Sequence, residues 1–273
     1  MADNPLGKET FYPSSFDPAL LVPLPRSSNR FHLGLSEQLP FIGEDIWHAY
    51  EISWLNNQGV PKVAIGRFVF PCKSPNIIES KSFKLYLNSL NQEKFNDKQS
   101  VINLLTENLS RCAGAEVKVT LFELEESVDL IKLPEGVCLD NVNVQIDHYQ
   151  PTSALLAIDE DNANEIIQEC LYSDLFKSNC PVTNQPDWGT MSIYYKGPAI
   201  RHEGLLAYLV SYRLHSDYHE NCVEKIFVDI QEKCKPQELA VQGNFLRRGG
   251  LDINPVRSTH IELIKTLPRF IRQ

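Results

Sequence analysis

One stretch of the 273-residue chain sets a thiol near an acid. It runs Ser178-Asn179-Cys180-Pro181-Val182-Thr183-Asn184-Gln185-Pro186-Asp187-Trp188-Gly189. Polar and broken by two prolines, it reads as a loop between a helix and a strand, where sites tend to lie. A loop cysteine near a helix end can be held as a thiolate and attack an electrophilic carbon. Asp187, seven residues on, can give a proton to the atom that gains charge. A buried thiol and a turn-forming Asp fit the same letters.

Three other runs carry chemistry. Glu79-Ser80-Lys81-Ser82-Phe83-Lys84 opens a predicted helix. Two lysines in a first turn oppose the helix dipole, and an anionic ligand would account for them; a capped surface helix is the alternative. Arg247-Arg248-Gly249-Gly250 pairs guanidinium groups suited to phosphate with glycines that let a backbone approach closely; a basic turn fits too. His219 and Cys222 sit one helical turn apart, but the second His of a zinc-protease helix is replaced by Val223. A helix-start His and a buried Cys explain that pair, so no metal is expected.

Periodicity supplies the elements that must position these residues. Trp47–Trp54 and Lys62–Phe70 read as strands joined through Gly59 and Pro61. Lys81–Leu90 reads as a helix, Asp97 starts a second, and Gly114 stops it. Strands follow at Val117–Leu121 and Val142–Ile146. The second half reads as a helix over Ala163–Leu175, a strand over Thr190–Lys196, helices over Leu205–Tyr212 and His219–Cys234, and a strand over Leu239–Phe245. Tyr12–Pro40 reads as an extended arm. Tyr86-Leu87-Asn88-Ser89 is echoed by Tyr208-Leu209-Val210-Ser211, and Phe95-Asn96-Asp97 by Tyr218-His219-Glu220. Together with the repeated element order this points to a duplicated module, each copy free to keep half of one site. The expected domains are 1–150, arm and first module, and 151–273, second module.

Composition narrows the class. Lys plus Arg is 26 against 35 for Asp plus Glu, a net −9, which argues against a nucleic-acid grip without excluding a local basic pocket. No apolar run is long enough to span a membrane. Met1–Thr10 lacks a secretory apolar segment, so the cytoplasm is the expected location. The seven cysteines show no two-residue spacing and are expected as free thiols. Neither a dinucleotide-binding glycine fingerprint nor a Walker loop is present.

The Glu79–Lys84 run with Leu85-Tyr86-Leu87, Cys180 through Asp187, Tyr218-His219-Glu220 and Arg248-Gly249-Gly250 together resemble the NADPH-dependent 7-cyano-7-deazaguanine reductases, the nitrile reductases of queuosine biosynthesis and so of tRNA modification. The resemblance covers nearly the whole chain and is to the longer, two-module subfamily. Arg201-His202-Glu203-Gly204 stands in the second half where the Glu79 run stands in the first. The resemblance implies an α+β fold of tandem tunnelling-fold modules, antiparallel sheets with paired helices. It implies Cys180 as nucleophile forming a thioimide, Asp187 as proton donor and His219 as assistant in proton delivery. Ile78, Glu79, Ser80, His219 and Glu220 would hold the base. Ser80, Lys81, Arg248 and Gly249, with Lys84 beside them, would hold NADPH. It further implies a homodimer acting on the free base, without direct contact to nucleic acid. A cysteine-dependent nitrile or amide hydrolase, and a non-catalytic purine- or pterin-binding scaffold, are the competing functions.

Overall fold

The computed structural model describes residues 15–36, 38–123, 133–160, 165–264, 269–270 and 273. Short strand β1 (Pro23–Pro25) and helix α1 (Ser27–His32) precede a long hairpin, β2 (Ile42–Leu55) and β3 (Pro61–Pro71). Then come β4 (Asn76–Ile78), α2 (Ser80–Ser89), α3 (Lys98–Ala113), β5 (Lys118–Phe122) and the two-residue β6 (Val137–Cys138). The second half holds β7 (Ile166–Ser173), β8 (Lys177–Asn179), β9 (Pro186–Pro198), α4 (His202–Ser211), α5 (His219–Cys234), β10 (Glu238–Phe245) and β11 (Leu251–Ser258). The fold is mixed α+β and rich in antiparallel sheet.

One sheet runs β5-β3-β2-β11-β10-β9-β7-β6, with β8 paired onto β9. Its ladders are antiparallel except β6 with β7. Register places Ile253 opposite Trp47 and Arg257 opposite Val241. The inward side chains of both halves therefore share one face, which the helices cover. Trp47, Phe68, Phe83 and Leu105 pack in one cluster, and Ile193, Leu209, Ile226 and Val241 in the other.

Local signals set the helix ends. Asp97 caps α3 through the Ser100 amide at 2.7 Å, and Gly114 closes it at φ +73°. Gly249 and Gly250, at φ +55° and +69°, make the two-residue turn between Arg248 and Leu251. An ideal Cβ on Gly250 would meet only the exposed Glu51 side chain, which can swing aside, so it is the positive φ that calls for glycine there.

Four expectations are corrected. The segment read as a helix over Ala163–Leu175 is strand β7 from Ile166 on; its first two residues lie outside the described ones. Its apolar spacing fits both periods, and eight-residue pairing with β9 decides for strand. The strand expected over Val142–Ile146 is absent from the sheet: Val142 and Val144 pack half-buried on the C-terminal core as a strap. No element is expected after the Arg247–Gly250 run, yet the chain continues there into β11, disguised by buried Asp252, Asn254 and Arg257. The arm expected over Tyr12–Pro40 is not merely extended. From Ser15 on it holds β1 and α1 and buries Arg26 and Arg30; Tyr12 to Ser14 lie outside the described residues.

β10 and β11 separate near the site. Their ladder reaches Gln242 opposite Val256, and the next residue on β11, Pro255, has no N–H to continue it. Beyond that point β10 stays with β9 and β11 stays with β2, leaving a gap between them.

Candidate active site

That gap opens into a narrow cleft with about 50 Å³ of solvent-accessible volume. Ile78, Glu79, Ser80 and Lys84 line it from β4 and α2. Cys180 and Asp187 come from the β8–β9 hairpin, His219 and Glu220 from the start of α5, and Arg248 from the turn before β11. Trp47, Leu246, Leu251 and Ile253 complete the wall. Lys81 and Gly249 are exposed and do not line the cleft.

The cysteine segment is a tight hairpin, not a loop after a helix. The Cys180 amide donates to Gln185 O at 2.9 Å, and the Asn184 amide to Cys180 O at 2.9 Å. Asn184 takes a positive φ of 56°, which Asn tolerates better than most residues. The turn aims N–H groups at the thiol. Burial by itself would raise the Cys180 thiol; hydrogen bonds from the Thr183 hydroxyl, the Thr183 and Val182 amides and the Arg248 guanidinium outweigh it and hold the thiol below its ordinary 9.0. That favours the thiolate.

Asp187 is buried between His219 and Arg248. Its Oδ2 lies 3.2 Å from His219 Nε2, and its Oδ1 lies 2.9 Å from Arg248 Nη1 in an ion-pair contact that is not an aligned hydrogen bond. The His219 ring stacks flat on Phe245, centroids 3.8 Å apart and planes within 1°. Its Nδ1 has no partner, and neither does the buried Trp47 Nε1. Unpaired buried donors in a wall are costly unless a ligand meets them.

The two glutamates differ. Glu79 caps its own helix: Oε1 accepts from the Lys81 amide at 2.9 Å and Oε2 from the Ser82 amide at 2.7 Å. The chain's own carboxylate thus holds the anion position that the lysines seemed to require from a ligand. Each oxygen keeps a lone pair for donors in the cleft. Glu220 is 3% exposed. Burial, then the nearby Asp45 charge, pushes its carboxyl up to about 7.

Beneath Glu220 lies a buried ionic cluster. Arg257, fully enclosed, reaches Asp45 at 2.8 Å and Glu224 at 2.9 Å. Arg26 meets Asp45 at 2.5 Å, and Arg30 meets Glu224 at 2.7 Å. The cluster ties the N-terminal segment, β2, α5 and β11 together under the cleft.

A cofactor with phosphates needs cations at the rim of the cleft. Lys84 is half-buried, and burial followed by the Arg248 charge lowers its pKa. An ideal Cβ on Gly249 would lie 3.5 Å from the Lys84 side chain, so the Gly249 backbone runs alongside that lysine. Two cations pressed together beside bare backbone fit an anionic cofactor group. Among the described residues, no group of three His, Cys, Asp or Glu side chains is arranged to hold a metal ion.

Comparison with known proteins bears on this arrangement. Residues 12–121 match the family model described as nitrile reductase, 7-cyano-7-deazaguanine-reductase N-term, and residues 186–262 match QueF-like protein. A relative from Chromohalobacter salexigens named NADPH-dependent 7-cyano-7-deazaguanine reductase is 50% identical over 270 residues, 98% of this chain and 96% of its own. Relatives of the same name from Burkholderia multivorans and Desulfotalea psychrophila are 48% and 49% identical over 99% and 100% of this chain, and 98% of their own lengths. The chain belongs to the NADPH-dependent 7-cyano-7-deazaguanine reductase family. Among solved structures, the apo archaeosine synthase QueF-Like is a remote likeness: 18% identity, 35% of this chain, 95% of its own and a TM-score of 0.31.

In this reductase-family chain, the first matched segment carries Ile78 to Lys81, and the second carries Asp187, His219, Glu220, Arg248 and Gly249; Cys180 falls just before it. Sequence reasoning missed the Val182 and Thr183 donors, the Phe245 stack, Trp47 and the ionic cluster. The Thr183-Asn184 pair was a turn signal that hinted at the first. The others join distant segments and leave no local trace.

Proposed function

We propose that the chain reduces the nitrile of 7-cyano-7-deazaguanine to the aminomethyl group, a four-electron change that consumes two NADPH and serves queuosine biosynthesis. The observation that carries this reading is the donor-cradled Cys180 thiol in one cleft with Asp187, His219 and two glutamates. The names of the relatives supply the substrate and cofactor.

Glu79 and Glu220 accept hydrogen bonds from the ring and exocyclic N–H groups of the base, with Ile78, Ser80 and His219 closing around it. The Cys180 thiolate attacks the nitrile carbon, and Asp187 passes a proton to the nitrile nitrogen, giving a thioimide. His219, 3.2 Å away, replenishes Asp187 from the cleft. Arg248, Lys84 and the Gly249 backbone, with Ser80 and Lys81, would hold the phosphates of NADPH, which would supply one hydride per molecule. After the thioimide carbon accepts the first hydride and its nitrogen a proton, the carbon–sulfur bond breaks. Cys180 leaves as thiolate, and a protonated imine remains. The second hydride completes the amine, which takes up a further proton through His219. The walls around Trp47 and Ile253 keep water from the imine.

A pair of tunnelling-fold modules, 1–150 and 151–273, is the architecture we favour. Three correspondences support it. The second half runs strand-strand-helix-helix-strand-strand in β7, β9, α4, α5, β10 and β11, and the first half follows that order as far as β5, in β2, β3, α2, α3 and β5. Asp17-Pro18-Ala19-Leu20-Leu21-Val22 matches Thr152-Ser153-Ala154-Leu155-Leu156-Ala157, each a capped 3-10 turn. The Glu79 amide donates to Val22 O, and the Arg201 amide donates to Ala157 O. Closing the sheet into a barrel by pairing two copies makes the working form a cytoplasmic homodimer that handles the free base.

The test follows nicotinamide absorbance with the base and NADPH, with product mass as the second readout. No oxidation by folded protein, or a product that has gained water, would remove the reductase reading. Light scattering decides the dimer.

A further inference from the structure

His219 starts α5, and only one of its ring nitrogens meets a protein group, Asp187 at 3.2 Å. The plane of the ring is therefore set by its stack on Phe245, at 3.8 Å and 1°. What holds Phe245 is unusual. It ends β10 beyond Pro255, where the ladder to β11 has stopped, so no strand on that side receives its amide. Two carboxamides take that place. The Phe245 amide donates to Asn254 Oδ1 at 3.1 Å, and Gln273 Nε2 approaches Phe245 O at 3.5 Å.

Both carboxamides are fixed in turn. Asn254 Nδ2 donates to Ile46 O at 3.2 Å and to Asp252 Oδ1 at 2.6 Å. Its Oδ1 also accepts from Gln273 Nε2 at 2.7 Å. Gln273 Oε1 accepts from Asn244 Nδ2 at 3.2 Å and from the Phe270 amide at 2.9 Å. Asn254 is 2% exposed and Gln273 7%. With its donors and acceptors all engaged, Asn254 has one orientation available. It joins β2, β10 and β11 where proline has split the sheet.

We infer that Asn254 and Gln273 are positioning residues for His219, clamping Phe245 so that its ring presents the imidazole to Asp187 at a fixed angle. This rests on the proposed role of His219 in feeding protons to the reaction. Neither residue lines the cleft, so both act through Phe245. Small misplacements of a proton-transfer group lower rates steeply, whereas thioimide formation needs only Cys180 and one proton from Asp187.

Gln273→Ala is the informative variant, because it loosens the clamp from outside the sheet; Asn254→Ala is the stronger but riskier one. Three readouts are compared with wild type: adduct mass and formation rate with base alone, NADPH turnover at saturating base, and His219 imidazole resonances in ¹⁵N-histidine protein. Gln273→Ala is expected to form the adduct fully and within about twofold of the wild-type rate, to turn over roughly tenfold slower, and to show shifted His219 signals as the ring current of Phe245 moves. Adding it to Phe245→Leu should cost nothing further, since the stack is already gone. Wild-type turnover in folded Gln273→Ala, an equal loss of adduct and turnover, or unmoved His219 resonances would each overturn the inference. A wild-type protein that forms no adduct would instead refute the nitrile reading, and the resonance comparison would still judge the clamp.

Discussion

Glu220→Gln should stabilise the protein at neutral and alkaline pH while weakening its grip on the base. Glu220 is 3% exposed, and burial, with Asp45 nearby, lifts its carboxyl from 4.5 to about 7. At about 1.4 kcal/mol per pH unit this corresponds to a ceiling of about 3 kcal/mol. The sign runs one way. Below pH 4.5 the carboxyl is neutral folded and unfolded, so Glu and Gln are equivalent. Between 4.5 and about 7 the unfolded chain releases the proton and the folded one keeps it, so wild type loses stability with rising pH. Above about 7 both states are ionised and the difference levels off. Gln keeps the volume and never carries the charge. Urea unfolding at pH 4.5, 6 and 8 should therefore show a gain for the variant that grows from near zero to between 1 and about 3 kcal/mol. Titration with the base should show weaker binding, because an amide presents one acceptor oxygen where the carboxylate presents two. A gain independent of pH, or a loss at pH 8, would refute the claim that an ionised Glu220 is strained in the folded protein.

Thr183→Ala removes a hydroxyl that stabilises the thiolate; the pH midpoint of adduct formation, expected below 9 in wild type, should move upward, which a rate profile from pH 6 to 10 checks. Asp187→Asn should slow adduct formation strongly while equilibrium binding of the base changes little, because the amide cannot hand over the proton; unchanged adduct kinetics would remove Asp187 from the acid role. Arg257→Met leaves Asp45 and Glu224 buried with one cation fewer between them and should destabilise the fold by about 3–5 kcal/mol in urea unfolding.

How much could be read in advance varied with the range of the signal. The helix read from Lys81 to Leu90 is α2 within a residue, because Glu79 caps it and Phe83, Tyr86, Leu87 and Leu90 repeat at helical spacing. The α5 boundaries match as well. Strand β7 was misread because Ile166, Ile167, Cys170 and Leu171 satisfy a helical period, and only β9 alongside decides otherwise. Strand β11 was hidden because its buried side chains include Asp252, Asn254 and Arg257, which meet Tyr50, Ile46 and Asp45 from far away in the chain. The Asp17–Val22 and Thr152–Ala157 correspondence was present in the letters but too short to stand out before the matching hydrogen bonds were seen.

The sequence by itself marked the side chains proposed to carry the chemistry and most of the elements bearing them. Caps, turns and periodicity act over a few residues, and Cys180, Asp187, Glu79 and Arg248 stand in short runs with their own spacing. Tertiary structure alone decided how those side chains behave. Arg248 reaches the Cys180 and Asp187 side of the cleft, Glu79 is spent partly on its own helix, and Phe245 fixes the face of His219. The pKa of Glu220 depends on atoms brought from the N-terminal segment, β2 and α5. Desolvation and Coulomb forces sum over neighbours in space, and those neighbours are chosen by strand register and by the proline that parts β10 from β11, not by spacing along the chain.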